Sequence, residues 1–352
     1  MKFRKTLGLL LAGAMTLGTL VGCGGDTASS DDTTASNDTT ESSDTTESSG
    51  SNDGMKVTLI MAQRDEWLSE MEAGALDAAS EVGINLTTQD AQSDTSKMLQ
   101  YIETAKNDGQ EAIIINMVDP ETAAQCVEAA GDMKVVFVNR YPSDPKVLNE
   151  NVVYVGSDEN TSGKYQGEWL AEHFKEEGKT EIKYILLNGI IGQTSTTLRT
   201  ESVLKALEDN GITATEATAP LAANYDRAEA QDMIAPLLNT KEYDCIISNN
   251  DGMALGAIEA MQAEGVDPTK IPVVGIDASV DGRQAIKDGT LAMSVFQDPV
   301  GQGKGSLLAA KNLLEGNAIN DGSDYELDET GNIMWVPFEP VTPENVDEYD
   351  AR

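Results

Sequence analysis

Polar, planar side chains end several apolar runs of this sequence, where predicted β-strands stop. Carboxylates accept hydrogen bonds and amides both donate and accept them, so such a set can pair with neighbouring hydroxyl groups. Trp67 and Tyr225 lie near the same strand ends and offer flat surfaces for the C–H faces of a ring. These residue types predict a site for a neutral, polyhydroxylated ring such as a sugar. The strand-end residues are Asp65, Asn116, Asn139, Asn188, Asn249, Asn250, Asp277 and Gln297.

Several of these residues have a purely structural alternative. Asn139 serves equally well as a hinge turn, and Asp251, one residue beyond Asn250, is expected to cap its helix. Trp169 and Trp335 are expected in the core, and His173, the single histidine, on a helix surface.

Sequence motifs for enzymatic chemistry are weak in this chain. It has no Gly-x-Ser-x-Gly elbow, and no Gly-x-Gly-x-x-Gly follows a predicted strand. Gly178-Lys179-Thr180 resembles the end of a phosphate loop, but His173 stands where that loop needs glycine. Asp65 and Asp277 could form a glycosidase acid–base pair, although hydrogen bonding to hydroxyls explains both more simply. We therefore expect no enzyme activity and no cofactor.

The elements that would position these residues alternate between strand and helix. Short apolar runs such as Val57–Met61 and Ala112–Asn116 are each followed by a helical period, as in Glu66–Val82. The pattern restarts with Val152–Val155 and continues to Pro272–Ile276. This alternation predicts an α/β fold with parallel sheets, which bind ligands at the carboxyl ends of their strands.

The amino terminus has the features of an export signal. Lys2, Arg4 and Lys5 precede an apolar run from Leu7, and Leu20-Val21-Gly22-Cys23 resembles a bacterial lipobox. The resemblance implies a signal peptide over residues 1–22 and lipidation of Cys23. The protein is then expected outside the cytoplasm, anchored by lipid to the outer face of the cell membrane.

Charge and composition further limit the classes of molecule that this protein can bind. Residues 23–54 are rich in Ser, Thr and Asp and predict a disordered acidic tether. The formal net charge is −36, which argues against nucleic acid because phosphate contacts need basic patches. Cys126 and Cys245 are expected to be buried free thiols, and no cysteine or histidine cluster predicts a metal site.

Several segments together resemble the periplasmic sugar-binding proteins of bacterial ABC importers, nearest to the galactose/glucose-binding members. The resemblance covers nearly all of residues 56–349. Its most specific parts are Asn-Asn-Asp-x-Met-Ala-x-Gly from Asn249 and Val-Gly-Ile-Asp-Ala from Val274. The segments that carry it are 90–94, 114–120, 136–140, 248–256 and 274–278.

The resemblance implies two Rossmann-like lobes joined by three crossovers. The first lobe would comprise residues 55–138 and 298–336, and the second residues 141–296 and 338–352. The hinges would lie near Asn139-Arg140, Gln297-Asp298 and Val336-Pro337. The lobes would close on the ligand by a hinge motion.

The resemblance also implies individual ligand contacts. Asp65, Asn116, Arg199, Asn250 and Asp277 match polar sugar contacts. Trp67 and Tyr225 replace a phenylalanine and a tryptophan that stack on the two sugar faces, and Gln297 replaces a hinge asparagine. Gln193 and Ser195 depart from a histidine and an aspartate, which leaves the exact sugar open.

The calcium loop of the galactose/glucose-binding proteins has no counterpart here. The corresponding segment, residues 172–180, has lysine at two positions and lacks the spaced oxygen ligands that calcium needs. We expect no metal there.

The function implied is capture of a monosaccharide, D-galactose or D-glucose first, by a monomer that delivers it to an ABC permease. A pentose ligand and a sensory role that presents the sugar to a receptor or kinase stay open. A transcription-factor core is disfavoured, because an export signal and no helix-turn-helix precedes the two lobes.

Overall fold

The computed structural model describes residues 54–352. The predicted signal peptide, the predicted lipidation site Cys23 and all but the last residue of the predicted tether lie outside the described residues. Helices and strands alternate along the described part, which confirms the predicted α/β organisation.

The strands supply two main sheets. They are β1 Lys56–Met61, β2 Asn85–Asp90, β3 Ala112–Ile115, β4 Lys134–Val138, β5 Val152–Gly156, β6 Glu181–Asn188, β7 Thr213–Glu216, β8 Leu221–Ala222, β9 Cys245–Ser248, β10 Val273–Val274, β11 Ser294–Gln297, β12 Glu326–Leu327, β13 Ile333–Trp335 and β14 Phe338–Val341.

The helices follow the strands along the chain. They are α1 Glu66–Val82, α2 Thr95–Asn107, α3 Ala123–Ala130, α4 Glu159–Glu176, α5 Thr194–Asp209, α6 Arg227–Leu238, α7 Asp251–Ala263, α8 Val280–Lys287 and α9 Pro299–Glu315, with short 3-10 helices at Pro120–Thr122, Pro145–Val147 and Val346–Tyr349.

Each main sheet forms the centre of one lobe. The first has the strand order β12-β13-β5-β4-β3-β1-β2 and is parallel except for the β12–β13 pair. The second has the order β10-β9-β6-β7, with β8 also paired to β6, and is parallel throughout. The antiparallel pair β11–β14 lies beside the second sheet, to which β11 is joined by the Asp277–Phe296 bridge. Strands β3 and β9, inside the two main sheets, are fully buried, as strands covered on both faces must be.

The placement of β5 corrects one prediction. Val152–Val155 was expected to begin the second lobe, but β5 pairs with β4 in the first sheet, with Val153 opposite Val136. The chain therefore leaves the first lobe after β5, near Ser157, rather than at Asn139-Arg140. A continuous apolar strand shows burial, but its sequence does not show which sheet it will join.

The chain crosses between the lobes twice more. Residue 297 ends β11 beside the second sheet, and α9 then packs against α1 in the first lobe. After β13 in the first sheet, Val336-Pro337 leads to β14, which pairs with β11. Three neighbouring segments thus connect the lobes.

Most helices begin at side chains that accept a backbone N–H. Asp65 caps α1, Asp226 caps α6, Asn250 caps α7 and Ser279 caps α8. In a parallel α/β sheet, each such helix start lies near the carboxyl end of the preceding strand. Within each lobe, the capping residues therefore lie at the same edge of that lobe's sheet.

The residues expected in the interior are placed as follows. Cys126 and Cys245 are both buried free thiols in separate core clusters, as predicted. Trp169 and Trp335 are half-buried and pack against those clusters. His173 was instead expected on a helix surface, but it is half-buried, and its ring stacks on Trp169 with 5.2 Å between centroids. Among residues 54–352, no helix has the length and apolar character to cross a membrane.

Candidate ligand-binding site

A cleft of about 410 Å³ lies at the carboxyl ends of the strands, with side chains from both lobes. It contains nine of the ten predicted contact residues. Those nine are Asp65, Trp67, Gln193, Ser195, Arg199, Tyr225, Asn250, Asp277 and Gln297.

Asn116 does not line this cleft. Its side chain is fully buried, and its Oδ1 accepts from Ala62 N at 3.2 Å. Its Nδ2 donates to Val138 O and to Asn139 Oδ1, both at 3.3 Å. Asn116 therefore ties the ends of three strands together, and its partner Asn139, for which a hinge turn and a ligand contact were both left open, lines the cleft.

The first lobe contributes Asp65 and Trp67 through the start of α1. Asp65 Oδ1 accepts from Leu68 N at 2.8 Å, and Oδ2 accepts from Gln63 Nε2 at 2.9 Å. Trp67 Nε1 donates to Gln297 O at 3.1 Å, which fixes the indole against the second crossover. The cap bond explains why the Asp65 carboxylate is held at the cleft edge.

Arg199 is a buried cation of the second lobe. Its Nε and Nη2 donate to the two Glu159 oxygens at 2.6 and 3.0 Å, and its Nη1 donates to Asn249 O at 2.8 Å. Burial opposes the charge, but the Glu159 carboxylate more than offsets it and raises the pKa of Arg199 above its ordinary value. Nη2 also donates to Gln297 Oε1 at 3.3 Å.

Gln297 is left with an unused donor. Its side chain is buried and its Oε1 accepts from Arg199, but its Nε2 has no hydrogen-bond partner among the described residues. A buried N–H without a partner costs free energy, so this amide is suited to a ligand acceptor in the cleft.

Tyr225 presents its ring to the second-lobe side of the cleft. Its hydroxyl shares hydrogen bonds with Ser195 Oγ and Thr196 Oγ1, both at 2.9 Å. The ring packs directly on Gly189, where an added Cβ would lie only 2.0 Å from Cζ. Only glycine leaves room for the ring at this position.

The backbone around the cleft is unusually strained. Non-glycine residues rarely have positive φ, and such outliers concentrate at functional sites. Of the seven such residues within 54–352, five line the cleft. They are Asn139, Asn224, Tyr225, Asp277 and Ala278.

Asp277 has the largest of these φ values, 117°. Burial raises the pKa of its carboxyl well above the ordinary value; Arg199 opposes this shift, whereas nearby Asp251 and Asp65 add to it. A carboxyl in this setting gains from a hydroxyl group that can donate to it or accept from it.

The family of the chain follows from comparison with known proteins. Residues 57–318 match the model of the periplasmic binding protein domain, well over half of the chain. The chain belongs to the periplasmic binding protein family. The expected resemblance and the expected two-lobed fold are thereby confirmed.

Individual members of the family align over most of their length. The D-galactose/methyl-galactoside binding periplasmic protein MglB of Haemophilus influenzae is 33% identical over 281 residues, 76% of this chain and 82% of its own. The ribose import binding protein RbsB of Salmonella typhimurium is 27% identical over 263 residues, 74% of this chain and 85% of its own.

A solved structure shows the same architecture. An ABC transporter solute-binding protein from Bacillus halodurans with bound myo-inositol superposes with a TM-score of 0.71 at 29% identity, covering 86% of this chain and 99% of its own. The cleft described here is the interlobe cleft of a periplasmic binding protein.

Several cleft residues of this binding protein were not predicted as contacts. Glu159 follows the first crossover, and no sequence signal marked it. Arg140 had a signal, because it directly follows the strand-end residue Asn139. Its Nη1 donates to Met117 O at 2.8 Å, and burial lowers its pKa against the opposing effects of Asp65 and Tyr225. Other unpredicted lining residues are Gln63, Glu70, Asn224, Arg227 and Arg283.

The cleft is lined by polar and aromatic side chains. It combines forked carboxylates, amides and guanidinium groups with two aromatic side chains, which together suit a ring carrying hydroxyl groups. No group of three or more His, Cys, Asp or Glu side chains in residues 54–352 is arranged to hold a metal ion.

Proposed function

We propose that this protein is the extracytoplasmic solute-binding lipoprotein of an ABC sugar importer, and that its cleft binds a monosaccharide, D-galactose or D-glucose first. The observation that carries the proposal is the group formed by Arg199, Glu159 and Gln297. These buried side chains fix each other and leave the Gln297 Nε2 donor without a partner in a residue that lines the cleft, where a ligand oxygen could accept from it.

The remaining polar groups support a hydroxyl-rich ligand. Asp65, Asn250 and Asp277 line the same cleft and offer oxygen atoms and an amide to neighbouring hydroxyls. Trp67 approaches from the first lobe and Tyr225 from the second, so a pyranose ring between them would have an aromatic surface on each face. The similarity to MglB supports galactose as the first ligand to test.

The second candidate is a smaller or differently substituted ring, such as a pentose. Gln193 and Ser195 carry no carboxylate, and Ser195 Oγ is already engaged by the Tyr225 hydroxyl, so this edge of the cleft lacks a charged acceptor for a sugar hydroxyl. The similarity to RbsB supports this alternative, and the inositol-bound relative extends it to cyclitols. A sensory role with a receptor or kinase uses the same closed form.

The cellular arrangement we propose follows from the amino-terminal sequence. Residues 1–22 act as a lipoprotein signal peptide, Cys23 receives the lipid, and residues 23–54 act as a tether. The binding protein then works as a monomer at the outer face of the cell membrane and delivers sugar to a membrane permease.

Sugar binding must also shift the protein from the open to the closed arrangement of its lobes, so that the permease can distinguish the loaded form. A micromolar complex provides about −8 kcal/mol in all. The sugar must therefore favour the closed arrangement over the open one by several kcal/mol of that total, through contacts to both lobes.

The test is calorimetric titration of the chain carrying Cys23→Ser, stripped of bound ligand by unfolding and refolding. Micromolar or tighter binding of D-galactose or D-glucose, weakened at least tenfold in Gln297→Leu, supports the proposal. Binding of D-ribose, D-xylose or myo-inositol alone supports the second candidate. No heat with any of the five, with the protein folded by circular dichroism, contradicts both.

A further inference from the structure

Asp251 lies behind the cleft and does not line it. Its carboxylate is fully buried at the first residue of α7. Asn250 provides the helix cap, because Asn250 Oδ1 accepts from Met253 N at 3.0 Å. The expectation that Asp251 caps its helix is therefore wrong, and its buried carboxylate has another use.

The two oxygens of Asp251 bond the turn after β10 directly and the first residue of β11. Oδ2 accepts from Ser279 N at 2.9 Å, and Oδ1 accepts from Ser294 Oγ at 2.6 Å. Ser294 Oγ in turn accepts from Ala278 N at 3.0 Å. One carboxylate thus holds two consecutive backbone N–H groups, one directly and one through a hydroxyl.

Those two N–H groups directly follow Asp277, the strained cleft residue. Asp277 and Ala278 have φ of 117° and 47°, values that non-glycine residues rarely adopt without external support. Arg283 Nη1 donates to Ala278 O at 2.6 Å and supports the turn from its other side. The bonds of Asp251 are therefore placed to maintain the backbone that directs Asp277 into the cleft.

Two glycines make room for this carboxylate. A Cβ added at Gly275 would lie 2.1 Å from Asp251 Oδ1, and one at Gly282 would lie 2.1 Å from Oδ2. The carboxylate is enclosed by backbone on both sides.

We propose that Asp251 is a positioning residue for ligand binding: it holds the Asp277–Ser279 turn in its strained conformation, so that the Asp277 carboxyl is presented to the bound sugar. The inference rests on the proposed function for the role of Asp277. The hold on the turn itself does not depend on any ligand.

Two readouts on the full chain carrying Cys23→Ser test this. The first is amide hydrogen exchange of Ala278 and Ser279 without sugar, which we expect to accelerate at least tenfold in Asp251→Asn. The second is the sugar dissociation constant in a double-mutant cycle of Asp251→Asn with Asp277→Asn. We expect Asp251→Asn alone to weaken binding at least tenfold, and less than twofold when Asp277→Asn is already present.

The matched control is Asp267→Asn. Asp267 is also a second-lobe carboxylate that accepts a backbone N–H, from Thr269 at 3.0 Å, but it lies outside the cleft. It should leave the dissociation constant and both amides unchanged. If Asp251→Asn does not fold, Ser294→Ala, which removes only the bridge to Ala278 N, should show the same pattern with smaller effects.

The possible outcomes separate the two proposals. Unchanged exchange at both amides, or effects on binding that add in the double variant, would overturn the positioning role. If the parent chain binds none of the sugars, the proposed function and the presentation of Asp277 to sugar both fall, whereas exchange still decides whether Asp251 holds the turn.

Discussion

Glu159 and Arg199 form a two-bond ion pair beside the cleft, with Glu159 Oε2 2.6 Å from Nε and Oε1 3.0 Å from Nη2. Both side chains are more than nine-tenths buried. Glu159 begins the helix after the first crossover, and Arg199 also donates to Gln297 at the second. The pair therefore connects the ligand site to two of the three segments on which the lobes would turn.

Glu159→Gln should damage both stability and binding. Removal of one charge from a buried pair leaves the other uncompensated, which costs about 3–5 kcal/mol. We expect that loss in urea unfolding, with sugar affinity reduced at least tenfold. Asp209→Asn, which breaks the exposed two-bond pair with Lys205, should cost little stability because solvent screens the pair, and it should leave affinity unchanged. Equal losses in the two variants would contradict this account.

Gly189→Ala should reduce sugar affinity by displacing the Tyr225 ring. The added methyl group would overlap Cζ, so the ring must leave its place and its bonds to Ser195 and Thr196. Calorimetry should show a loss of at least tenfold. Tyr225→Phe keeps the ring and should lose less than Gly189→Ala. An unchanged affinity in Gly189→Ala would show that the ring position does not matter.

Asp65→Ala should lose a helix cap and a ligand contact together. Loss of an aspartate cap costs about 1 kcal/mol of stability. The matched control is Asp94→Ala, because Asp94 is the equivalent cap of α2 and its Oδ1 accepts from Ser96 N. This variant should lose the same amount of stability while its sugar affinity stays constant. Asp65→Asn should keep the cap and lose affinity alone. Similar affinities for the Asp65 and Asp94 variants would assign Asp65 a structural role only.

Asp251 should make stability depend on pH. Burial raises the pKa of its carboxyl to about 7, against about 4 in an unfolded chain. The folded state then holds the proton more tightly, so this contribution to stability is complete below about pH 4 and is lost as pH rises to about 7. Hydrogen bonds from Ser294 and Ser279 oppose the shift without cancelling it, so the stability gap between the parent and Asp251→Asn should narrow from pH 4 to 7.5. Urea unfolding across this range measures it, and a constant gap would be inconsistent with the shift.

The two thiols should be inert in the folded protein. Burial raises the pKa of Cys126 to about 11 and raises that of Cys245 further, so neither forms the reactive thiolate near neutral pH. In the chain carrying Cys23→Ser, a thiol reagent should modify neither cysteine before unfolding and both after it. Rapid modification of the native protein would show that one of the two lobes opens readily.

Many parts of the site were predictable because their signals are local. Hydrophobic periodicity and helix starts place the strand ends, and parallel strands bring their carboxyl ends to a common edge. That rule, together with the family resemblance, predicted nine residues that line the cleft. Asn116 failed because a polar strand-end residue can also bond inward, and only the packing of β1, β3 and β4 shows which it does.

By itself, the sequence determined the alternation of strands and helices, the buried strands and the residue types available at their ends, because these depend on neighbours a few positions away. The tertiary structure alone decided which sheet β5 joins and that Arg199 pairs with Glu159, forty residues earlier. It also decided that the Tyr225 ring packs on Gly189 and that Asp251 bonds the turn after Asp277. These contacts join residues far apart in the chain, so they depend on the path of the whole backbone.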